Sequence, residues 1–100
     1  MNYRFHPQAE AELYEAQDWY EERRAGLGFE FLTAVSHAID HIMANPSAYG
    51  RWPGSSLDVH RFVLSRFPYA IAYLVDDGVV ELLAIAHTSR RPLYWANRLD

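Results

Sequence analysis

Hydrophobic and polar residues along the first 45 positions predict one strand followed by two helices. Tyr3 and Phe5 alternate with polar neighbours, which is the two-residue period of a β-strand. Apolar residues then recur at helical spacing over residues 7–24, and a second, broader apolar stripe covers residues 28–45. Only a short glycine-containing turn separates these two stretches, so we expect the helices to form an antiparallel hairpin.

The rest of the chain predicts a loop and three further strands. Residues 46–56 are rich in proline, glycine and serine, which is typical of a loop. Strand-like runs follow at about residues 58–65, 69–75 and 79–87. Asp77-Gly78, between the last two runs, is a two-residue hairpin signal. The order β-α-α-β-β-β predicts an α+β fold, with a helical hairpin packed on a mostly antiparallel four-stranded sheet in a single domain, residues 1–100.

The same patterns predict which side chains are buried. We expect the core to contain Leu13, Tyr20, Leu32, Val35, Ile39, Ile42, Ile71, Tyr73, Leu83 and Ile85. The acidic residues expected on the solvated face of the first helix are Glu10, Glu12, Glu15, Asp18, Glu21 and Glu22. His37 and His41 lie opposite the apolar stripe of the second helix, so we expect them to face solvent or a partner rather than a metal.

Composition and charge narrow the function classes. The chain is 50% hydrophobic and has no cysteine, which predicts a folded domain without disulfides or thiolate metal sites. All nine basic residues are arginine, with three against eight acidic residues in residues 1–50 and six against five in residues 51–100. The net charge of −4 disfavours nonspecific nucleic-acid binding. With no membrane helix or signal peptide visible, we expect a cytoplasmic protein that uses no cofactor.

The basic and aromatic residues of the second half are the candidate chemistry. They are His60, Arg61, Arg66, His87, Arg90, Arg91, Tyr94, Trp95 and Arg98. Imidazole, guanidinium and phenol groups can cleave RNA without a metal, because one group takes the 2′-hydroxyl proton, another protonates the leaving oxygen and arginines stabilise the phosphate. Alternatively, Tyr94 and Trp95 pack the tail onto the domain while the arginines are exposed. Residue spacing leaves both interpretations open.

Several longer motifs resemble one known family. The stretch FHPQAEAEL is followed by WYEERRAGLG, and later by FPYAIAYLVDDGVVELLAIAHTSRRPLYW. Together they resemble the RelE/ParE superfamily of type II toxins over almost the whole chain, from about Tyr3 to Arg98. The resemblance implies the β-α-α-β-β-β fold and a small cytoplasmic toxin that a cognate antitoxin neutralises by direct binding.

The two branches of this superfamily imply different mechanisms. RelE-like members cut messenger RNA on the ribosome, a role that would here belong to Arg61, His87, Arg90 and Tyr94. ParE-like members inhibit DNA gyrase, and the candidate target contacts are then Arg90, Arg91, Tyr94, Trp95 and Arg98. Ala70 stands where the nuclease branch usually has arginine, and the chain is acidic overall. We therefore favour the ParE-like interpretation, with the ribosome-dependent endoribonuclease and a non-toxic interaction module as alternatives.

The resemblance also implies a protein partner. Sheet edges and exposed aromatic residues such as Trp52 and Trp95 would favour aggregation if no partner covered them. We expect an antitoxin segment to lie along the helical hairpin, with addition of a strand to the sheet as a further option. Trp19, Arg24 and Trp52 are the candidate antitoxin contacts, because aromatic residues and arginines typically anchor interfaces. We expect no specific DNA binding by the toxin alone.

Overall fold

One strand, two helices and three further strands follow one another in the order that the sequence predicts. The computed structural model describes residues 1–99; the predicted domain also includes residue 100, which lies outside the described residues. The elements are β1 (Asn2–Phe5), α1 (Pro7–Arg23), α2 (Leu27–Ala44), β2 (His60–Val63), β3 (Tyr69–Asp76) and β4 (Val79–His87). Short 3-10 turns cover Pro46–Ala48 and Ala96–Leu99. The predicted α+β class is confirmed, and β2 is shorter than expected.

The four strands form one sheet in the order β1-β4-β3-β2. The β4–β3 and β3–β2 pairs are antiparallel, and β1 pairs with β4 in parallel. Asp77 and Gly78 have φ angles of 52° and 74°, so both adopt the left-handed conformation that a two-residue hairpin turn requires. The mostly antiparallel sheet is therefore confirmed. Its parallel pair arises because the helical hairpin returns the chain to the end of the sheet at which β1 begins.

The helical hairpin is held by its caps and by one close helix contact. The His6 side chain accepts a hydrogen bond from the Gln8 N–H at 3.1 Å, ahead of the first turn of α1. Gly26 has a φ of 88° and lets the chain turn sharply into α2. Gly28 lies so close to α1 that a Cβ atom there would be 2.7 Å from the Gln17 carbonyl oxygen. A glycine at this position thus permits the close approach of the two helices.

The main core lies between the helical hairpin and one face of the sheet. Of the ten predicted core residues, all are buried except Tyr20 and Leu32, which are partly buried at its margin. Burial raises the pKa of Tyr73 to about 12, and its hydroxyl donates to the Pro46 carbonyl at 2.6 Å. Leu83 is buried too, but it belongs to a different cluster from the other predicted core residues.

A second core covers the opposite face of the sheet and depends on a β-bulge. Ala72 of β3 pairs with Ala84, whereas the next residue of β3, Tyr73, pairs with Leu82. The extra residue, Leu83, therefore lies on the same face as Ala84. The residues after β4, 88–99, form the C-terminal tail. Trp95 of this tail packs against the face and is 0% exposed. The expectation that Trp95 is exposed is wrong, because the bulge and the small side chains around it make room for the indole ring.

Candidate functional site

Glu12 of α1 fastens the C-terminal tail to the domain. Its carboxylate accepts a hydrogen bond from the Tyr94 hydroxyl at 2.6 Å and two from the Arg98 guanidinium at 2.8 and 2.9 Å. It also accepts from the Ile85 backbone N–H at 3.1 Å. The Glu12 and Arg98 side chains are only 14% and 7% exposed. The placement of Glu12 on a solvated helix face is therefore wrong.

The position of Glu12 follows from the short length of β1. This strand ends at Phe5, opposite Leu82, so no strand of the described chain lies beside the edge of β4 beyond Leu82. Side chains form the hydrogen bonds of that edge instead. Glu12 accepts from the Ile85 N–H, and Arg98 donates to the Leu83 carbonyl at 2.9 Å. A buried arginine in this role has little surface to offer to a target.

The same contacts shift two pKa values. Burial and the Glu12 carboxylate raise the pKa of Tyr94 well above its usual range. The hydrogen bond to Glu12 raises the pKa of Arg98. Both shifts favour the protonated forms, in which Tyr94 and Arg98 donate to Glu12.

The tail and β2 enclose a basic cleft on this side of the sheet, which we call the arginine cleft. Its volume is about 280 Å³, and its principal lining residues are Trp52, Arg61, His87, Arg90, Arg91 and Tyr94. The structure thus brings together all four residues that the nuclease interpretation requires, and adds Arg91 and Trp52 to them. Trp95 and Arg98, the other candidate target contacts, do not line the cleft.

Charge pairing separates the arginines of this cleft from all the others. The arginines within 3.8 Å of a carboxylate oxygen are Arg4, Arg23, Arg24, Arg51, Arg66 and Arg98. Within residues 1–99, Arg61, Arg90 and Arg91 have no carboxylate partner, and no acidic residue lines the cleft. Three uncompensated guanidinium groups therefore converge on one concave surface, which favours binding of an anionic partner.

The cleft is better suited to binding than to proton abstraction. The Nδ1 atom of His87 accepts a hydrogen bond from the Ser89 N–H at 3.0 Å, which places the proton of neutral His87 on Nε2. The Tyr94 hydroxyl donates a hydrogen bond to Glu12. With the Nδ1 lone pair of His87 engaged and the Tyr94 oxygen protonated, neither side chain is ready to act as the general base that RNA cleavage needs.

A second concave surface, the hairpin groove, runs between α2 and β2. It has a volume of about 530 Å³ and is lined by α2 residues from Phe29 to His41 and by residues 62–66. Phe29 is 72% exposed on one wall and Val63 is 57% exposed on the other. His37 and His41 also face this groove, in agreement with the expectation that they face solvent or a partner.

The candidate antitoxin contacts lie on different parts of the surface. Trp19 is half exposed, with the Arg23 guanidinium 3.8 Å from the centre of its ring, and Arg24 pairs with Glu30 near the turn of the hairpin. Hydrogen bonds from Arg66 and Arg24 lower the pKa of Glu30. Trp52 lies on the other side of the sheet, where its ring packs edge-on against the buried Trp95. The structure thus does not bring these three candidates together.

Sequence reasoning missed Glu12 and the exposed pair Phe29 and Val63. A signal for Glu12 was present, since it stands three residues after Ala9 and four before Ala16, on the apolar face of α1. No comparable signal marked Phe29 or Val63, because their exposure depends on how β2 lies beside α2.

Two other kinds of site are absent from the described part of the chain. Within residues 1–99, no group of three or more histidine, aspartate or glutamate residues is placed to hold a metal ion. None of the helices in this part of the chain is long and apolar enough to cross a membrane.

Comparisons with known proteins agree with this architecture. The sequence profile of a family described as "ParE toxin of type II toxin-antitoxin system, parDE" matches residues 3–92. A solved structure described as "Chromosomal ParDE TA system from P. aeruginosa" is similar with a TM-score of 0.68 and 19% identity, over 89% of this chain and 97% of that one. At that identity the likeness shows the fold alone. Among curated proteins, none matches this chain.

Proposed function

Because the chain belongs to the ParE toxin family of type II toxin–antitoxin systems, we propose that it inhibits DNA gyrase by protein–protein binding and that a cognate antitoxin neutralises it. The observation that supports this proposal is the convergence of Arg61, Arg90 and Arg91 in a cleft that no acidic residue among residues 1–99 lines. Gyrase is a cytoplasmic enzyme, so the proposal places the toxin in the cytoplasm.

The proposal assigns separate roles to the residues of the tail. Arg90 and Arg91 are exposed and contact the target directly, since arginines commonly carry interface binding energy. Tyr94, Trp95 and Arg98 hold the tail in position through Glu12 and the second core. In this mechanism the toxin breaks no covalent bond; it acts by occupying a surface that gyrase needs.

The endoribonuclease alternative keeps one favourable observation. Arg61, His87, Arg90 and Tyr94 all line the same cleft, as cleavage of RNA would require. Ala70 also lines it, at the position where the nuclease branch usually has arginine. The protonated Tyr94 and the engaged Nδ1 of His87 leave the cleft without a ready base, so we rank this alternative second.

A supercoiling assay with purified toxin and gyrase tests the proposal. We expect the wild-type toxin to inhibit supercoiling and Arg90→Ala to raise the inhibitory concentration by about 30-fold, the effect of losing an interface anchor of about 2 kcal/mol. Arg23→Ala is the matched control. Arg23 is an exposed residue of α1 that does not line the cleft, so this variant should inhibit like the wild type. Messenger RNA on programmed ribosomes should stay intact. Codon-specific cleavage that Arg90→Ala abolishes would reverse the ranking.

The third hypothesis, a non-toxic interaction module, is tested by expression without the antitoxin. A toxin that inhibits gyrase should stop growth and induce the DNA damage response, whereas a ribosome-dependent nuclease should stop translation first. Unimpaired growth with folded, abundant protein would favour the interaction module.

Antitoxin binding has its own readout. The exposed Phe29 and Val63 of the hairpin groove support the proposal that an antitoxin segment lies along α2. A partner present at 100 times its Kd should stabilise the toxin by about 2.7 kcal/mol. Thermal unfolding with and without the antitoxin measures this gain, and an unchanged melting temperature would argue against neutralisation by direct binding.

A further inference from the structure

We propose that Tyr94 and Trp52 are positioning residues of the arginine cleft, whose rings hold the guanidinium groups of Arg90 and Arg61 ready for the target. This inference rests on the proposed function, because these arginines are the groups which that function directs at gyrase. It concerns the arginine side chains themselves, and so goes beyond the attachment of the tail to the domain.

The closest ring contact in the cleft is that of Arg90. Its Cζ atom lies 4.0 Å from the centre of the Tyr94 ring. At that distance the guanidinium group lies against the ring through its flat face. Backbone turns bring the two residues together, because the Arg90 N–H donates to the His87 carbonyl at 3.0 Å and the Tyr94 N–H donates to the Arg91 carbonyl at 3.2 Å.

A contact through the flat face leaves the N–H groups of an arginine free. These donors lie in the plane of the guanidinium group, so a ring against its face uses none of them, whereas a carboxylate partner does. Within residues 1–99, the arginines whose side chains donate hydrogen bonds are Arg4, Arg24, Arg66 and Arg98. The donors of Arg90 therefore remain available for the oxygen acceptors of a target.

The Tyr94 ring can position Arg90 because the ring is itself fixed. Its hydroxyl donates to the Glu12 carboxylate at 2.6 Å. The Arg98 guanidinium, bound to the same carboxylate, lies 5.2 Å from the ring centre. The ring therefore cannot swing away from Arg90 without breaking the hydrogen bond to Glu12.

The other two arginines of the cleft have weaker ring contacts or none. The Cζ atom of Arg61 lies 5.6 Å from the centre of the Trp52 ring, which packs edge-on against Trp95. Among residues 1–99, no aromatic ring carries the guanidinium group of Arg91. The structure thus grades the three arginines, with Arg90 held most closely and Arg91 least.

This grading predicts how much each arginine contributes to binding. A side chain that is ordered before the target arrives loses less conformational freedom on binding than one that is not. Immobilising one long side chain weakens binding by up to about 10-fold. The contributions to inhibition should therefore fall in the order Arg90, Arg61, Arg91.

Two substitutions of Tyr94 isolate the role of its ring. Tyr94→Phe and Tyr94→Leu both remove the hydroxyl that binds Glu12, but only Tyr94→Leu removes the ring. In the supercoiling assay, we expect the inhibitory concentration of Tyr94→Leu to exceed that of Tyr94→Phe by about 10-fold. In the Arg90→Ala background the two variants should inhibit alike. Tyr14→Leu, which changes an exposed tyrosine of α1 outside the cleft, is the control and should inhibit like the wild type.

A ring that only stabilised the fold would separate the two Tyr94 variants equally in both backgrounds. An undiminished difference in the Arg90→Ala background, or no difference in its absence, would therefore overturn the proposal.

Substitutions of the arginines test the grading without altering either ring. We expect the inhibitory concentration to rise by about 30-fold for Arg90→Ala, about 10-fold for Arg61→Ala and about 3-fold for Arg91→Ala. Arg90→Lys keeps the charge but has no flat face, so it should raise the inhibitory concentration by about 10-fold or more. Equal effects of the three alanine variants, or wild-type inhibition by Arg90→Lys, would overturn the proposal.

NMR of the free toxin separates this inference from the proposed function. The ring current of Tyr94 should shift the side-chain protons of Arg90 upfield in the wild type and in Tyr94→Phe. The shift should be absent from Tyr94→Leu. Unshifted Arg90 protons in a wild-type toxin that inhibits gyrase would overturn the positioning role and leave the proposed function standing. Shifted protons in a toxin that leaves gyrase active would overturn the proposed function and leave the ring contact of Arg90 standing.

Discussion

The two faces of the sheet are closed in different ways. On one face, two long helices cover the strands with a continuous apolar core that includes Phe31, Val35 and Ile42. On the other face, a short tail is held by one indole ring, that of Trp95, and by one polar cluster, centred on Glu12. The helical face is thus closed by many similar contacts, whereas the tail face depends on a few residues of unlike chemistry.

This difference explains where the arginines without a carboxylate partner lie. A face covered by helices leaves only its margins accessible, whereas a short tail leaves part of the sheet open. Arg61 and Arg90 occupy that opening, and the Glu12 cluster fixes the tail that carries Arg90. The face with fewer stabilising contacts is the one that carries the candidate target surface, as is common for functional sites.

Truncation of Trp95 should separate the two faces most clearly. We expect Trp95→Ala to lower the free energy of unfolding by about 3–5 kcal/mol, because the ring is fully buried. Trp95→Phe should cost less, because it keeps an aromatic ring and removes an indole N–H that has no hydrogen-bond partner within residues 1–99. On the helical face, Ile39→Ala should cost about 2–5 kcal/mol. Urea denaturation measures all three, and a loss below about 1 kcal/mol for Trp95→Ala would show that the tail is not part of the core.

Removal of the Glu12 charge should have the next largest effect. Glu12→Gln leaves the buried Arg98 guanidinium without a counter-charge, so we expect a loss of about 3 kcal/mol in urea denaturation. The control is Glu15→Gln, which changes an exposed acid on the same helix and should change little. The double variant Glu12→Met/Arg98→Met should be more stable than Glu12→Gln, because it removes both charges together. A wild-type-like Glu12→Gln would contradict the buried ion pair.

The helix crossing on the helical face can be tested at Gly28. We expect Gly28→Ala to cost about 1–3 kcal/mol, because the new methyl group would press against the Gln17 carbonyl oxygen. This loss should appear even though alanine is the better helix former. Gly50→Ala is the matched control, since within residues 1–99 no atom beyond its chain neighbours lies within 4 Å of the added carbon. If both variants unfolded at the wild-type urea concentration, the helices would have to lie farther apart than the structure shows.

The smallest expected effect is on the fall of the free energy of unfolding at alkaline pH. The pKa of Tyr73 is raised from 10.0 to about 12, so folding favours its neutral form. Its contribution is fully present below pH 10 and is lost as the pH rises from 10 towards 12. Tyr73→Phe should therefore flatten the fall in the free energy of unfolding over this range. A slope identical to the wild-type slope would show that Tyr73 ionises as an exposed phenol does.

The regular elements of this protein were predictable from its sequence. Amphipathic stripes with a period near 3.6 fixed α1 and α2 to within about two residues, and Asp77-Gly78 fixed the β3–β4 hairpin. The sequence motifs also indicated the family that the profile match shows over residues 3–92. These features depend on neighbours in the chain, so local pattern was sufficient to find them.

Tertiary structure alone decided the tail face and the candidate site. The bulge at Leu83, the burial of Trp95 and the ion pair between Glu12 and Arg98 join residues that are distant along the chain, and no local period signals such contacts. The sequence supplied the arginines, but only folding determined which of them a carboxylate neutralises. Pairing is a property of three-dimensional proximity, so the charge of the arginine cleft could not be read from composition or from net charge.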